Sequence, residues 1–303
     1  MLKKFNLFVV AIVAVVLLAA CGAKENTGSN TNPDTSGTGG NNEKKEIKLA
    51  YVAWDSEIAS TYVVKEVLEQ KLGYKVDMLQ VDAGPMFAGV ADGSADAMVA
   101  AWLPATHESY IEQYGDRLVD LGPNLNGTKL GLAVPSYMDI TSIEDLANGD
   151  VGAEVDHKII GIEPGAGLMM ATEKMVEEYG LDKWTVLESS SAAMAQELQK
   201  AYKAEQPIIV TGWTPHWMFA AMDLKYLDDP KGVYGADEQI HTMTRQGLEE
   251  DKADAFRVLD NFSWTPDDMA EVMVEIMEGS SPEDAAKAWV DSNEDKVNAW
   301  IGS

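Results

Sequence analysis

One structural plan occurs twice along this chain, and that repeat constrains the fold more than any other feature. The first copy opens with the short apolar run Ile47-Lys48-Leu49-Ala50-Tyr51-Val52, which leads to Trp54. A helical pattern covers Ser60 to Leu72, a second strand pattern lies near Val76 to Val81, and another helix runs around Met86 to Asp92. The copy closes with Ala97-Met98-Val99-Ala100-Ala101, ending at Trp102-Leu103-Pro104. The second copy starts with Lys158-Ile159-Ile160-Gly161-Ile162 and ends that strand at Pro164. A helix over Leu168 to Tyr179, a strand near Trp184 to Glu188 and a helix over Met194 to Lys203 come next. They lead to Pro207-Ile208-Ile209-Val210-Thr211, ending at Trp213-Thr214-Pro215. The spacing agrees: Trp54 and Trp102 lie 48 positions apart, Pro164 and Trp213 lie 49 apart.

Strands that alternate with helical patterns predict βαβ units and mainly parallel sheets. Two such units in one chain predict two α/β lobes facing each other across a cleft. Leu130 to Pro135 is the expected first crossing between lobes and Ile240 to Arg245 the expected return. Helices over Asp267 to Met277 and Pro282 to Val290 would then pack back on the first lobe. The expected division is residues 46–135 plus 246–303 for lobe 1 and 136–245 for lobe 2.

The N-terminus carries a different signal. Lys3 and Lys4 precede an apolar run, Leu7 to Leu18, that is too short to span a bilayer comfortably. It ends in Leu18-Ala19-Ala20-Cys21, small residues closing on the only cysteine of the chain. Residues 1–20 therefore read as a lipoprotein signal peptide, with Cys21 as the lipidated residue. Residues 22–45 contain no aromatic and no Val, Ile or Leu. Such a stretch cannot bury enough apolar surface to offset the entropy of ordering it, so 21–45 reads as a disordered tether. The protein is expected on the extracytoplasmic face of the cell membrane.

Charge narrows the partners. The full chain carries a formal charge of -27; without the two lysines of the signal, 21 basic residues face 50 acidic ones, or -29. Nucleic acid is excluded as a partner, because phosphate binding needs the opposite sign. Catalysis finds little support among the four histidines (His107, His157, His216, His241), with no HExxH, GxSxG or cysteine nucleophile. No cofactor is expected.

In open parallel sheets, ligands bind beyond the carboxyl ends of the strands. Trp54, Trp102 and Trp213 stand at three such ends, drawn from both copies. A single tryptophan there is more often packing, and Trp184, Trp264, Trp289 and Trp300 are read that way; Trp217 is open to either reading. Three indoles at equivalent places can surround a cation, each contact contributing about 0.5–2 kcal/mol. A methylated ammonium suits them, because it offers no hydrogen-bond donor and prefers ring faces. The segment Gly161-Ile162-Glu163-Pro164-Gly165-Ala166-Gly167-Leu168 runs from a strand end into a helix start. Its amides could hold an anion, although taken alone it reads more readily as a plain Gly-rich strand–helix turn. His107, five residues after Trp102, is a further candidate donor to a carboxylate.

The segments AYVAWDSEIAS (50–60), AWLPATH (101–107), GIEPGAGLM (161–169), SSAAM (190–194), TGWTPHWMF (211–219) and KYLDDP (225–230) together closely resemble the glycine betaine-binding proteins of the OpuAC type. The likeness covers nearly everything after the tether. It implies the two-lobed type II periplasmic-binding-protein fold, with the ligand in the interlobe cleft. It further implies a prism of Trp54, Trp102 and Trp213 around a trimethylammonium group. The amides of Gly167 and Leu168, assisted by His107, would hold the carboxylate. The expected partners are glycine betaine or a related quaternary ammonium ligand and an ABC permease with a cytoplasmic ATPase, served by a monomer. Carnitine, proline betaine, a sulfonium analogue and choline are the alternative ligands, and a betaine receptor without transport is the alternative role. The resemblance leaves Phe87 unplaced.

Overall fold

A computed structural model describes residues 45–148 and 150–302. The signal segment, Cys21 and nearly all of the tether lie outside the described residues. In chain order the strands are β1 (Glu46–Tyr51), β2 (Lys75–Gln80), β3 (Ala97–Leu103), β4 (Leu118–Pro135), β5 (Lys158–Ile160), β6 (Thr185–Leu187), β7 (Val210–Thr214), β8 (Leu224–Tyr226) and β9 (Glu238–Arg245). They form one sheet in the order β2-β1-β3-β9-β4-β7-β5-β6, with β8 paired to β4.

The repeat appears directly in this order. β1 pairs in parallel with β2 from Glu46↔Lys75 to Tyr51↔Gln80, and with β3 at Leu49↔Ala97. In the second copy β5 pairs in parallel with β6 from Lys158↔Thr185 to Ile160↔Leu187, and with β7 at Ile160↔Val210. Each copy is thus a three-stranded βαβ half with its first strand in the middle. The join between halves is antiparallel. The start of β4 pairs with β9, and its end, Lys129 to Ala133, pairs with β7. The crossing expected over Leu130 to Pro135 is this end of β4.

The return is made earlier than expected. Tyr234 still donates its hydroxyl to Thr172 of the second half at 3.0 Å, whereas Glu238 already pairs with Thr128 beside the first half. Ile240 to Arg245 therefore lies wholly within β9, a strand of the first half-sheet between β3 and β4. Strand pairing is a long-range choice that local periodicity does not encode, so this placement was not readable from the residues around it.

Antiparallel neighbours also lengthen the strands that carry the tryptophans. Trp102 pairs with Ile240 and Trp213 with Leu130, so both sit inside strands and not just beyond them. The helix after β1 starts a turn before the expected Ser60. It covers Asp55–Leu72, with Trp54 as its extended N-cap and Asp55 and Glu57 in its first turn, where carboxylates complement the helix dipole. It ends on Gly73, whose left-handed φ of 70° lets its amide turn back to Glu69. Ala59, Val63, Val64, Val67 and Leu68 form the buried face. Against it pack the C-terminal helices Pro266–Met277 and Pro282–Ser292. The first of these is fixed by a capping box between Thr265 and Asp268. Trp264, Trp289 and Trp300 join Phe262 in an aromatic cluster of this layer, and Trp184 donates to the Leu146 carbonyl at 3.2 Å. All four are packing residues, as the sequence suggested.

Candidate ligand site

Trp54, Trp102, His107, Gly167, Leu168 and Trp213 line one pocket, completed by Thr106, Leu130, Ile162 and Ala166. Every ligand-binding residue selected from the sequence is therefore in the same place, contributed by both halves of the sheet. Among the described residues no Lys or Arg lines it.

The pocket carries indole faces and hydrogen-bond donors, and the two sets touch: Trp54 stacks on His107 at 5.8 Å. The single polar atom of each indole is committed to the protein, which leaves ring carbon for the cavity. Trp54 Nε1 donates to Glu163 Oε1 at 2.5 Å, Trp102 Nε1 to Glu57 Oε1 at 3.0 Å and Trp213 Nε1 to Ser56 Oγ at 3.2 Å. All three residues are buried. Glu57 is fully buried, and burial pushes its carboxyl up to about 8 against the opposing hydrogen bonds from Trp102 and Ser60. Burial likewise raises the Glu163 carboxyl. Indole faces in a pocket with no Lys or Arg among its lining residues favour a positively charged guest.

The helix Gly167–Glu178 begins after Ala166, which supplies no side-chain cap. Helix geometry leaves the first amides without internal partners. Among the described residues those of Gly167 and Leu168 donate to no protein acceptor. His107 adds a third donor. Its Nδ1 accepts the Trp102 amide at 2.9 Å, so the proton of a neutral ring resides on Nε2. Burial holds the imidazole down at about 3, which keeps it neutral. Among the described residues Nε2, which is buried, has no hydrogen-bond partner. A buried donor left unmade costs about 1–3 kcal/mol, so three such groups lining one pocket are candidates to meet an anionic acceptor.

Supporting residues fix this geometry. Phe87 does not line the pocket; it meets His107 edge-on at 5.1 Å and stacks on Tyr110 at 5.0 Å. Tyr110 donates its hydroxyl to the Gly165 carbonyl at 2.7 Å, tying the two halves together. Glu238 of β9 accepts the amides of Ala105 and Thr106 at 2.5 and 2.8 Å, and the Thr106 hydroxyl as well. Thr106 is thereby pressed against Gly167, where an added Cβ would sit 2.2 Å from the Thr106 carbonyl oxygen. Only glycine permits that approach. Trp217 also lies off the pocket: its Nε1 donates to Asp55 Oδ1 at 2.8 Å.

Sequence reasoning passed over Asp55, Ser56, Glu57 and Glu163 as functional residues. Their signal was present in the polar run that follows Trp54 and in the acid within the Gly-rich segment. Both also read as ordinary helix-start and turn chemistry.

Two linked α/β half-sheets that both contribute residues to one pocket are the architecture of a two-lobed substrate-binding protein. The chain belongs to the family described as the substrate binding domain of ABC-type glycine betaine transport systems, whose model matches residues 45–292. It is 54% identical over 156 residues to the glycine betaine/carnitine transport binding protein GbuC of Listeria monocytogenes serotype 1/2a (strain 10403S). That match covers 51% of this chain and 52% of the relative, so the matched stretch spans about half of its length. Among solved structures, lactococcal OpuAC in its closed-liganded conformation with glycine betaine superposes with a TM-score of 0.80 at 44% identity, covering 85% of this chain and 99% of that one. The glycine/betaine/L-proline-binding protein ProX of Borrelia burgdorferi superposes with a TM-score of 0.81 at 37% identity, covering 84% and 96%.

Proposed function

We propose that this chain is the extracytoplasmic substrate-binding protein of an ABC importer and that it captures glycine betaine for osmoprotection. The observation that carries the reading is the pairing, in one pocket, of three indoles with three unpartnered donors. A zwitterion with a trimethylammonium group at one end and a carboxylate at the other satisfies both. The indoles of Trp54, Trp102 and Trp213 take the cation. The amides of Gly167 and Leu168 and the Nε2–H of His107 take the carboxylate.

Capture proceeds by closure of two lobes, the first built on β1–β3, β9 and the C-terminal helices, the second on β5–β8. Each lobe supplies part of both sets, so the ligand binds the closed arrangement more tightly than the open one and shifts the population toward it. The closed monomer then docks on a permease driven by a cytoplasmic ATPase. A lipid on Cys21 and the tether through residue 45 hold the protein at the outer face of the cell membrane, where confinement raises its effective concentration near the permease. Nothing in this role calls for catalysis.

Carnitine and proline betaine share both charged ends and are the second reading, favoured by the same pocket. Choline and sulfonium analogues without a carboxylate would leave the three donors unpaired.

The test is a titration of the purified protein with glycine betaine, carnitine and choline, followed by tryptophan fluorescence. Saturation by betaine, weakened about tenfold or more in Trp102→Ala, supports the reading. Saturation by choline alone would overturn the carboxylate assignment, and silence from all three, confirmed by calorimetry, would overturn the ligand class.

A further inference from the structure

Three consecutive residues at the start of the helix Asp55–Leu72 each accept one indole N–H: Asp55 from Trp217, Ser56 from Trp213 and Glu57 from Trp102. Ser56 and Glu57 thereby orient pocket tryptophans. Asp55 holds no pocket residue, and its partners all come from the second half of the sheet. Ser191, first residue of the helix Ser191–Lys203, donates its hydroxyl to Asp55 Oδ2 at 2.6 Å. Trp217 Nε1 donates to Oδ1 at 2.8 Å, and His216 Nε2 stands 3.4 Å from Oδ2. Because His216 Nδ1 accepts the Met218 amide at 3.1 Å, the proton of its neutral ring lies on Nε2, facing Asp55.

This cluster adjoins the pocket without being part of it. His216 meets Trp213 edge-on at 4.5 Å, so whatever fixes the imidazole also fixes the indole that the second half contributes to the pocket. From the other side, Asp55 directly follows Trp54. The cluster thus clamps one pocket indole from each half against the other. In a chain of net charge -27, a carboxylate satisfied wholly by the opposite half returns to water when the halves part. Burial works to raise this carboxyl, but the contact with His216 and the hydrogen bonds from Ser191 and Trp217 outweigh it and hold it below the usual carboxylate range.

We infer that Asp55 is the closure latch of the pocket, a positioning residue that slows ligand release by holding Ser191, His216 and Trp217 across the cleft. The inference rests on the betaine-binding reading for its ligand and not for its geometry. Release of the latch raises the dissociation rate and leaves association, which starts from the open form, nearly unchanged.

Stopped-flow tryptophan fluorescence with glycine betaine, combined with small-angle scattering with and without ligand, tests it on wild type, Asp55→Ala, Trp217→Phe and Ser191→Ala. Asp55→Ala should release betaine about tenfold faster or more, with association changed less than about threefold. Its scattering should shift toward a more open particle. Trp217→Phe and Ser191→Ala should each show part of this effect and add little in the Asp55→Ala background. Wild-type release rates and scattering in Asp55→Ala would overturn the latch, as would full additivity. Should Asp55→Ala fail to fold, wild-type release in both other variants overturns it equally. A wild type that binds no betaine defeats the ligand reading alone; the latch then stands or falls on whether ligand-free Asp55→Ala scatters as a more open particle.

Discussion

Trp54 donates its indole N–H to Glu163 Oε1 across the two halves of the sheet, at 2.5 Å and over 109 residues of sequence. Trp213 makes the reverse connection, from the second half to Ser56 of the first. Two of the three side chains that would surround a cation with their faces thus bridge the halves with their edges, whereas Trp102 bonds to Glu57 within the first half. Ligand capture and closure therefore share residues.

Removing the acceptor at Glu163 should accordingly act on release. Glu163→Ala leaves the buried Trp54 N–H unpaired at a cost of about 1–3 kcal/mol, and betaine should dissociate about tenfold faster or more. Glu163→Gln keeps an acceptor oxygen and should stay near wild type. Stopped-flow displacement measures both; equal release from all three proteins would show that this bond does not fasten the cleft.

At Gly167 the effect should fall on closure. A Cβ placed 2.2 Å from the Thr106 carbonyl forces the halves apart. Gly167→Ala should lose about 1–3 kcal/mol of binding, one to two orders of magnitude in affinity. The ligand-free melting temperature should stay at the wild-type value, because the overlap arises between halves and not within one. Calorimetric titration and a thermal melt read the two quantities.

How much of this was legible in the sequence depended on how local each signal was. Trp54, Trp102 and Trp213 could be found because strand ends and repeat spacing are short-range patterns. The Gly-rich strand–helix turn marked the region of Gly167 and Leu168, but these two, like His107, gained weight only through family resemblance. The acceptors behind the indoles were not legible. Asp55, Ser56 and Glu57 meet partners 162, 157 and 45 residues away, and an acidic helix start has an ordinary dipole reading. β9 was misplaced for the same reason: its register with β3 and β4 is set by pairing at long range. Phe87 and Trp217, which the sequence could not assign, both proved to stand one layer behind the pocket.

Glu57 gives a stability signature. Its carboxyl lies near 4.5 when unfolded and about 8 when folded, so the folded chain retains a proton that the unfolded chain releases. The stability this proton confers is complete below pH 4.5 and is lost as pH rises toward about 8, with a slope of up to about 1.4 kcal/mol per pH unit. Glu57→Gln should flatten that decline in chemical denaturation curves recorded from pH 5 to 9. An unchanged slope would mean that Glu57 is ionised in the folded protein.

His107 should remain a neutral donor throughout the working range. With the imidazole held at about 3, nitrogen NMR should report a proton on Nε2 and none on Nδ1 from pH 5 to 8. His107→Phe should weaken betaine by about 1.5–3 kcal/mol, roughly tenfold to a hundredfold, because it removes a hydrogen bond to a charged group. A cation lacking a carboxylate should lose much less, and equal losses for both would place the ring away from the anion.

The most direct measurement is a crystal structure of the protein with glycine betaine. The trimethylammonium group should lie among Trp54, Trp102 and Trp213, with the carboxylate within hydrogen-bonding distance of the Gly167 and Leu168 amides and His107 Nε2. A ligand bound elsewhere, or one whose carboxylate turns away and leaves His107 Nε2 unpaired, would contradict the account.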